Sequence, residues 1–305
     1  MINKTNRCII QPIRKQISVQ EAIAKALQAN EQEDNGMRTM PDNSNPDTNQ
    51  NTPSQPAIPG SFKEYSGRNI DRAPEILKAG EIIAPFFYIA QKRIASATPE
   101  ETAQWADKWY DTSDLIAYAS QGNNDNNEVK VVMAYDNNFR ITDAGKFCLE
   151  LINPSETLMG RAVNLSNGRY EEIKGKGVVA LKRSELAKVL DCGMLKPQAL
   201  DSRLWRILLR HEDEVESDFA VRGLHKDYIN WAYDNYKSRF DKEAKVNEIK
   251  IMGVYPDSAG DVPKLRAWYV GGLEGGSNAS WWDDLGSGDG RLVGLAPEAP
   301  SQKNK

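Results

Sequence analysis

Tyr269-Val270-Gly271-Gly272-Leu273-Glu274-Gly275-Gly276-Ser277-Asn278-Ala279-Ser280-Trp281-Trp282-Asp283-Asp284-Leu285-Gly286-Ser287-Gly288-Asp289-Gly290 stands between two stretches of different character. Before it, Lys264-Leu265-Arg266-Ala267-Trp268 reads as an apolar strand with a single Arg, and so does Arg291-Leu292-Val293-Gly294-Leu295-Ala296 after it. Between them Gly, Ser, Asp, Asn and Tyr fill 15 of 22 positions. Those five types are linked by the genetic code. An Asn codon is adenine-adenine-pyrimidine; guanine at one or both adenines gives Ser, Asp or Gly, and thymine at the first gives Tyr. The composition is what adenine-directed mutagenesis of Asn codons leaves behind. Trp281 and Trp282 are not reached from Asn that way, so they read as fixed scaffold or as products of another codon.

The pattern Leu265-Arg266, Trp268, Ser277-Asn278-Ala279, Arg291 and Val293-Gly294 resembles the variable region of diversity-generating retroelement target proteins. The resemblance spans Leu265 to Ala299, about 35 residues. It implies a C-type-lectin-like domain, related to the formylglycine-generating-enzyme branch, whose end is rewritten by an error-prone reverse transcriptase. The family commonly ends on an Ile-Gly-Phe-Arg strand; here Arg291-Leu292-Val293-Gly294 sets the Arg on the other side of the Gly.

On this reading the ligand-contacting surface is Tyr269 to Gly290. Tyr269, Trp281 and Trp282 are the expected anchors, because aromatic rings give large contact area at small entropic cost. Asn278, Ser280, Asp284, Ser287 and Asp289 are the expected adaptable rim, and Gly271, Gly272, Gly275, Gly276 and Gly286 are further variable positions. The expected partner is a protein or a surface-displayed molecule. The rival is a structural or assembly protein, such as a phage or surface component, with a plain Gly-rich loop. A third reading, an enzyme of the formylglycine-generating type, needs reactive cysteines, and none follows Cys192.

Further out, Leu265 to Val270 and Arg291 to Leu295 read as strands, as do Val129 to Tyr135, Gly177 to Leu181 and Ile249 to Tyr255. Two hairpins are expected: one returning through Phe139 to Thr142, the other built from Arg161 to Leu165 and Arg169 to Ile173 around Ser166-Asn167-Gly168. Ser184 to Leu190, Asp201 to Val215 and Leu224 to Phe240 read as helices. Pro74 to Ala97 reads as a helix kinked at Pro85, and Thr98-Pro99-Glu100-Glu101 as a capped start to a helix carrying Trp105, Trp109 and Leu115. The class is α+β. The organisation is a short N-terminal helix within 1–29, a disordered polar linker over 30–60, a helical accessory region over 61–125, the lectin-like domain over 126–299, and a tail over 300–305.

Composition narrows the chemistry. Across 305 residues the net charge is −4, with no basic stripe, which argues against nucleic acid. Cys8, Cys148 and Cys192 are too sparse for a disulfide framework, and only His211 and His225 are present, without metal-ligand spacing. No cofactor is expected. Asp283, Asp284 and Asp289 offer oxygens to calcium, but the EF-hand order of ligands is absent. Neither Glu172 to Gly177 nor Gly271 to Gly276 has phosphate-loop spacing. No apolar run approaches the roughly 18 residues of a membrane span. With no signal core after the basic N-terminus, a cytoplasmic location is the default. The oligomeric state is open.

Overall fold

Nine consecutive buried residues, Tyr110–Tyr118, form the strand around which the other elements are arranged. The computed structural model describes residues 61–119, 128–152, 158–159, 162–182, 185, 193–255, 262–280, 285–286 and 288–296. Tyr110–Tyr118 is β3, and it runs antiparallel between β9 (Lys264–Val270) and β4 (Glu128–Val132). The sheet continues past β4 to β7 (Val178–Lys182) and past β9 to β6 (Ala162–Asn164) and β5 (Leu158–Met159). At the far end of β9, β10 (Ala279–Ser280) pairs antiparallel with it and parallel with β8 (Val254–Tyr255). A second sheet has the order β1 (Ser61–Ser66), β11 (Arg291–Ala296), β2 (Ile82–Ile83).

Alternation along the strands sends side chains to two cores. Ile116, Val131 and Trp268 join one; Leu115, Val132 and Ala267 join the other. The first core is closed by α2 (Phe86–Ala95), α6 (Lys196–Asp201), α7 (Arg203–Leu208) and α8 (Leu224–Phe240). The second is closed by α1 (Asn69–Lys78), α4 (Asp143–Leu151) and α5 (Asn167–Glu172).

The β3–β9 register shifts between Asp111 and Leu115, a bulge in β3. The bulge turns Asp114 into the interior, where it is 0% exposed. One carboxylate oxygen accepts from the Phe86 amide at 3.0 Å, the first residue of α2, and the other from Arg210 Nη2 at 2.7 Å. Arg210 is also fully buried, lies past the end of α7 at φ +61°, and sets its guanidinium 5.5 Å from the Phe87 ring. One ion pair thus joins the central strand to the start of one helix and the end of another.

Several elements differ from the sequence reading. Residues 61–119, expected to be helical, supply β1 and β3 to the two sheets. The helix opened by Thr98 has its capping box, as α3 (Pro99–Glu101), but ends in a π turn at Ala106. Trp109 therefore lies in the connection and Leu115 in β3. The Pro74–Ala97 stretch is two helices separated by β2, with Pro74 inside α1 and Pro85 preceding α2. Ser166-Asn167-Gly168 does not turn a hairpin: the Ser166 hydroxyl accepts from the Arg169 amide and caps α5, whose Tyr170 is buried. Phe139 to Thr142 is held to its partner by a single bridge, Tyr135 to Ile141, because Asp136 Oδ1 draws the Asn138 and Arg140 amides into a turn. Asp201 to Val215 is broken at Ser202, which ends α6 and caps α7. Of Ile249 to Tyr255, only Ile251 and β8 pair. The expected N-terminal helix, linker and tail, and all of Ser184 to Leu190 but Glu185, lie outside the described residues.

Two outcomes follow from the buried polar groups. Asp114→Ala should lower unfolding free energy by about 3–5 kcal/mol in urea titration, because it strands the Arg210 charge. The double variant Asp114→Leu/Arg210→Met should recover most of that loss, and equal losses in single and double variants would contradict it. His225 is 5% exposed, and its Nε2 has no hydrogen-bond partner. Burial, then nearby His211 and Arg206, push its pKa down to about 4, against a weaker upward pull from the Ala199 carbonyl and Glu212. The unfolded chain therefore binds the extra proton first. Stability should be flat above about pH 6.5 and fall as pH drops toward 4. The urea midpoint of His225→Gln should fall less steeply over that range.

Candidate functional site

The connection from β9 to β11 is held by backbone and by positions that admit no side chain. Its first arm turns back on itself: the Gly271 amide donates to Asn278 O at 2.7 Å, Ser277 N to Gly272 O at 3.0 Å and Gly276 N to Leu273 O at 2.8 Å. The arm is then fixed to two neighbours. Leu273 N donates to Ala106 O at 2.7 Å, and Met252 N to Gly276 O at 2.7 Å. The returning arm is fixed likewise. Ile70 N donates to Leu285 O at 3.0 Å, Gly67 N to Gly290 O at 2.9 Å and Arg291 N to Asp111 Oδ2 at 3.0 Å. Each of these bonds uses a backbone group of the connection, so none of them is made by a side chain that the loop itself carries.

The glycines separate into two kinds. A Cβ on Gly272 would lie 2.3 Å from Asp107 O, and one on Gly290 would lie 2.4 Å from Gly67 O. Gly276 sits at φ +84° with the Ile251 side chain 3.2 Å from where a Cβ would be. These three are framework. A Cβ on Gly275 would meet nothing nearer than 3.5 Å, and one on Gly288 nothing within 4 Å. Gly271 is buried but would meet only ordinary contacts at 3.4 Å.

Asn278 is committed to the scaffold: its Oδ1 accepts from the Gly253 amide at 2.6 Å and its Nδ2 donates to Gly275 O. Ser280 is buried in β10, and its hydroxyl donates to Tyr255 O at 3.2 Å. Tyr269 is half-buried, Gly272 and Gly286 are intermediate, and Gly275 and Asp289 are exposed. Trp281, Trp282, Asp284 and Ser287 lie outside the described residues, as does Asp283 of the suggested calcium set. The described site residues thus comprise an inner group, Gly271, Gly272, Gly276, Asn278 and Ser280, and an outer group, Tyr269, Gly275, Gly286 and Asp289.

Sequence reading missed the shoulder beside the first arm. Trp109 packs at a tilt of 48° against Tyr269 with ring centroids 5.4 Å apart, and the Arg291 guanidinium lies 5.3 Å from the Trp109 ring. Arg291 also faces Glu64 at 3.2 Å, which pairs with Lys108 at 2.8 Å. Burial pushes the Glu64 carboxyl up, but hydrogen bonds from Lys108 and Gln104 and the charges of Lys108 and Arg291 outweigh it and hold its pKa low. Trp109 falls at helical spacing from Trp105 in the sequence, and the end of the helix at Ala106 lets it face the loop. Glu274, which is not an Asn-codon product, stands exposed at the loop's tip. Among the described residues no group of three His, Cys, Asp or Glu could hold a metal ion.

No protein-family profile and no curated protein matches the sequence. A solved structure from Nanoarchaeota, reported as the accommodation of massive sequence variation by the C-type lectin fold, is similar over 77% of this chain and 97% of its own. The TM-score is 0.51 at 14% identity, so the likeness is one of fold. The chain has the C-type lectin fold that the resemblance over Leu265 to Ala299 implied.

Gly272→Ala and Gly290→Ala should each lower the thermal midpoint by several degrees, through backbone clash. Gly275→Ala and Gly288→Ala should change stability by no more than about 0.5 kcal/mol. Asn278→Ala should cost about 1–3 kcal/mol, because the Gly253 amide loses its acceptor. Equal losses at all five positions in a thermal melt would refute the division into framework and permissive positions.

Proposed function

We propose that this protein is a non-catalytic binding protein whose β9–β11 connection contacts the ligand and is diversified by adenine-directed mutagenic retrohoming. The observation that carries the reading is the coincidence of two features in one segment. Its composition is that of rewritten Asn codons, and its course is set by backbone hydrogen bonds and a few glycines. Such a loop can change its outer side chains while a rigid scaffold keeps the surface in place. The C-type lectin fold, generally a binding fold without catalysis, supports this reading. So does a solved structure of that fold described as accommodating massive sequence variation.

The ligand is a protein or a surface-displayed molecule, met by Tyr269, Gly275, Gly286 and Asp289 together with Trp281, Trp282, Asp284 and Ser287. Gly271, Gly272, Gly276, Asn278 and Ser280 set the shape of that surface from beneath. Trp109 and Arg291 extend it as a fixed edge.

The test is the DNA. A near-copy of the segment encoding Tyr269 to Gly290 should lie beside a reverse-transcriptase gene and differ from it only at template adenines. Copies of the gene from one population should vary at codons for outer residues and keep Gly272, Gly276, Asn278 and Gly290. Differences spread evenly over all four bases, or an identical segment in every copy with no template, would contradict the proposal.

A further inference from the structure

β1 is an edge strand. One side pairs with β11 along its whole length, from Ser61 opposite Ala296 to Ser66 opposite Arg291. Its other side pairs with no strand among the described residues. Phe62 keeps 43% of its surface in solvent, an unusual position for a large ring at a sheet edge. Its ring packs edge-on against Trp105 at 4.8 Å. Beside the two rings lies an open groove of about 430 Å³, whose walls include Lys92, Ala95, Glu100 and Gln104.

The strand's two faces differ in how their charged groups are paired. Phe62 and Glu64 share the groove face, where Gln104 Nε2 donates to Glu64 at 2.9 Å and Lys108 and Arg291 neutralise it. The Glu101 carboxylate on the groove wall is taken by the amides of Ala97 and Thr98, at 2.9 and 3.0 Å. Lys63 and Tyr65 share the opposite face, where the Tyr65 hydroxyl donates to Glu81 Oε2 at 3.0 Å. The Lys63 ammonium lies 4.2 Å from the Tyr65 ring centroid, and no carboxylate pairs with it among the described residues.

We infer that β1 is a docking edge for an extended acidic segment of another protein, which adds as a fourth strand to the β1-β11-β2 sheet. Backbone hydrogen bonds along the free edge supply affinity, and alternate side chains supply specificity. An aromatic or large aliphatic side chain on the groove face seats beside Phe62 and Trp105. Its neighbour on the other face, an Asp or Glu, meets Lys63, which meanwhile repels indiscriminate pairing. A second copy of this chain fits poorly. Two-fold pairing of β1 with itself keeps each face on its own side, so a centred overlap sets Lys63 against Lys63 or Glu64 against Glu64.

The test uses the full chain and two short fluorescent peptides, one alternating Phe with Asp and the other alternating Phe with Lys. The Asp peptide should bind, weaken as salt rises, and protect the amides of residues 61–65 from hydrogen exchange. The Lys peptide should not bind. Lys63→Glu should weaken the Asp peptide by about threefold to tenfold at an unchanged thermal midpoint, and Phe62→Ala by a similar factor. Binding of neither peptide, or equal binding of both, overturns the proposal. So does protection at residues 274–289 in place of 61–65. Concentration-dependent dimers that Phe62→Ala dissolves would assign the edge to a second copy and overturn it equally. The loop reading is separate, since substitutions at Gly275 and Gly288 leave peptide binding on β1 unchanged.

Discussion

A carboxylate buried in the middle of a strand is what the rest of the architecture has to accommodate. Asp114 reaches the interior because β3 bulges, and once there it must be paired, since an isolated charge in that environment is strongly unfavourable. Burial pushes its carboxyl up, while Arg210 and the Phe86 and Ala134 amides pull the other way. Arg210 can answer from past the end of α7 only by adopting a left-handed backbone conformation, and α2 can start where it does because its first amide points at the same carboxylate. The polar run Asp111 to Asp114 serves both sheets. Asp111 holds the Arg291 amide at the start of β11, Thr112 donates to Trp268 O at 2.9 Å on β9, and the Ser113 amide donates to Ala84 O at 3.1 Å. The two strands that bracket the β9–β11 connection are thereby fixed to one bulged segment of β3.

That arrangement explains how a loop rich in glycine can keep a definite course. Glycine loses more conformational freedom on folding than any other residue, so seven of them in 22 positions would ordinarily leave the segment without a preferred path. Here the loss is offset at chosen points. Gly272 and Gly290 sit where backbone from Asp107 and Gly67 leaves no room for a Cβ, and the Asn278 side chain joins the Gly253 amide to the Gly275 carbonyl. Between those points Glu274, Gly275 and Gly288 face solvent. The loop is held in its frame and open at its tips, which is what the proposed contact surface requires.

How much of this was legible in the sequence follows from where polar residues sit. β9 and β11 are apolar strands with ordinary alternation, and both were read to within a residue. β3 was not, because Asp111-Thr112-Ser113-Asp114 interrupts its apolar pattern and because Trp105, Trp109 and Leu115 happen to fall at helical spacing. Only the tertiary partners of those four polar residues show that they belong to a buried strand. The Asn-Gly pair at Asn167 misled for a related reason: Ser166 offered a helix cap, and burial of Tyr170 favoured the helix. Codon logic located the loop but could not sort its residues. Asn278 and Ser280 look adaptable by type, yet both are bonded to backbone, and the distinction between Gly272 and Gly275 depends on what lies opposite each.

Substitution should be tolerated at the connection's tips and not in its frame. The most direct test is a pair of yeast-display libraries of the full chain, one randomised at Glu274, Gly275 and Gly288, the other at Gly272, Gly276 and Gly290, each scored for survival under a protease that cuts unfolded chains. Most members of the first library should survive like the parent, and few of the second should. Similar survival in the two libraries, or greater loss in the first, would contradict it.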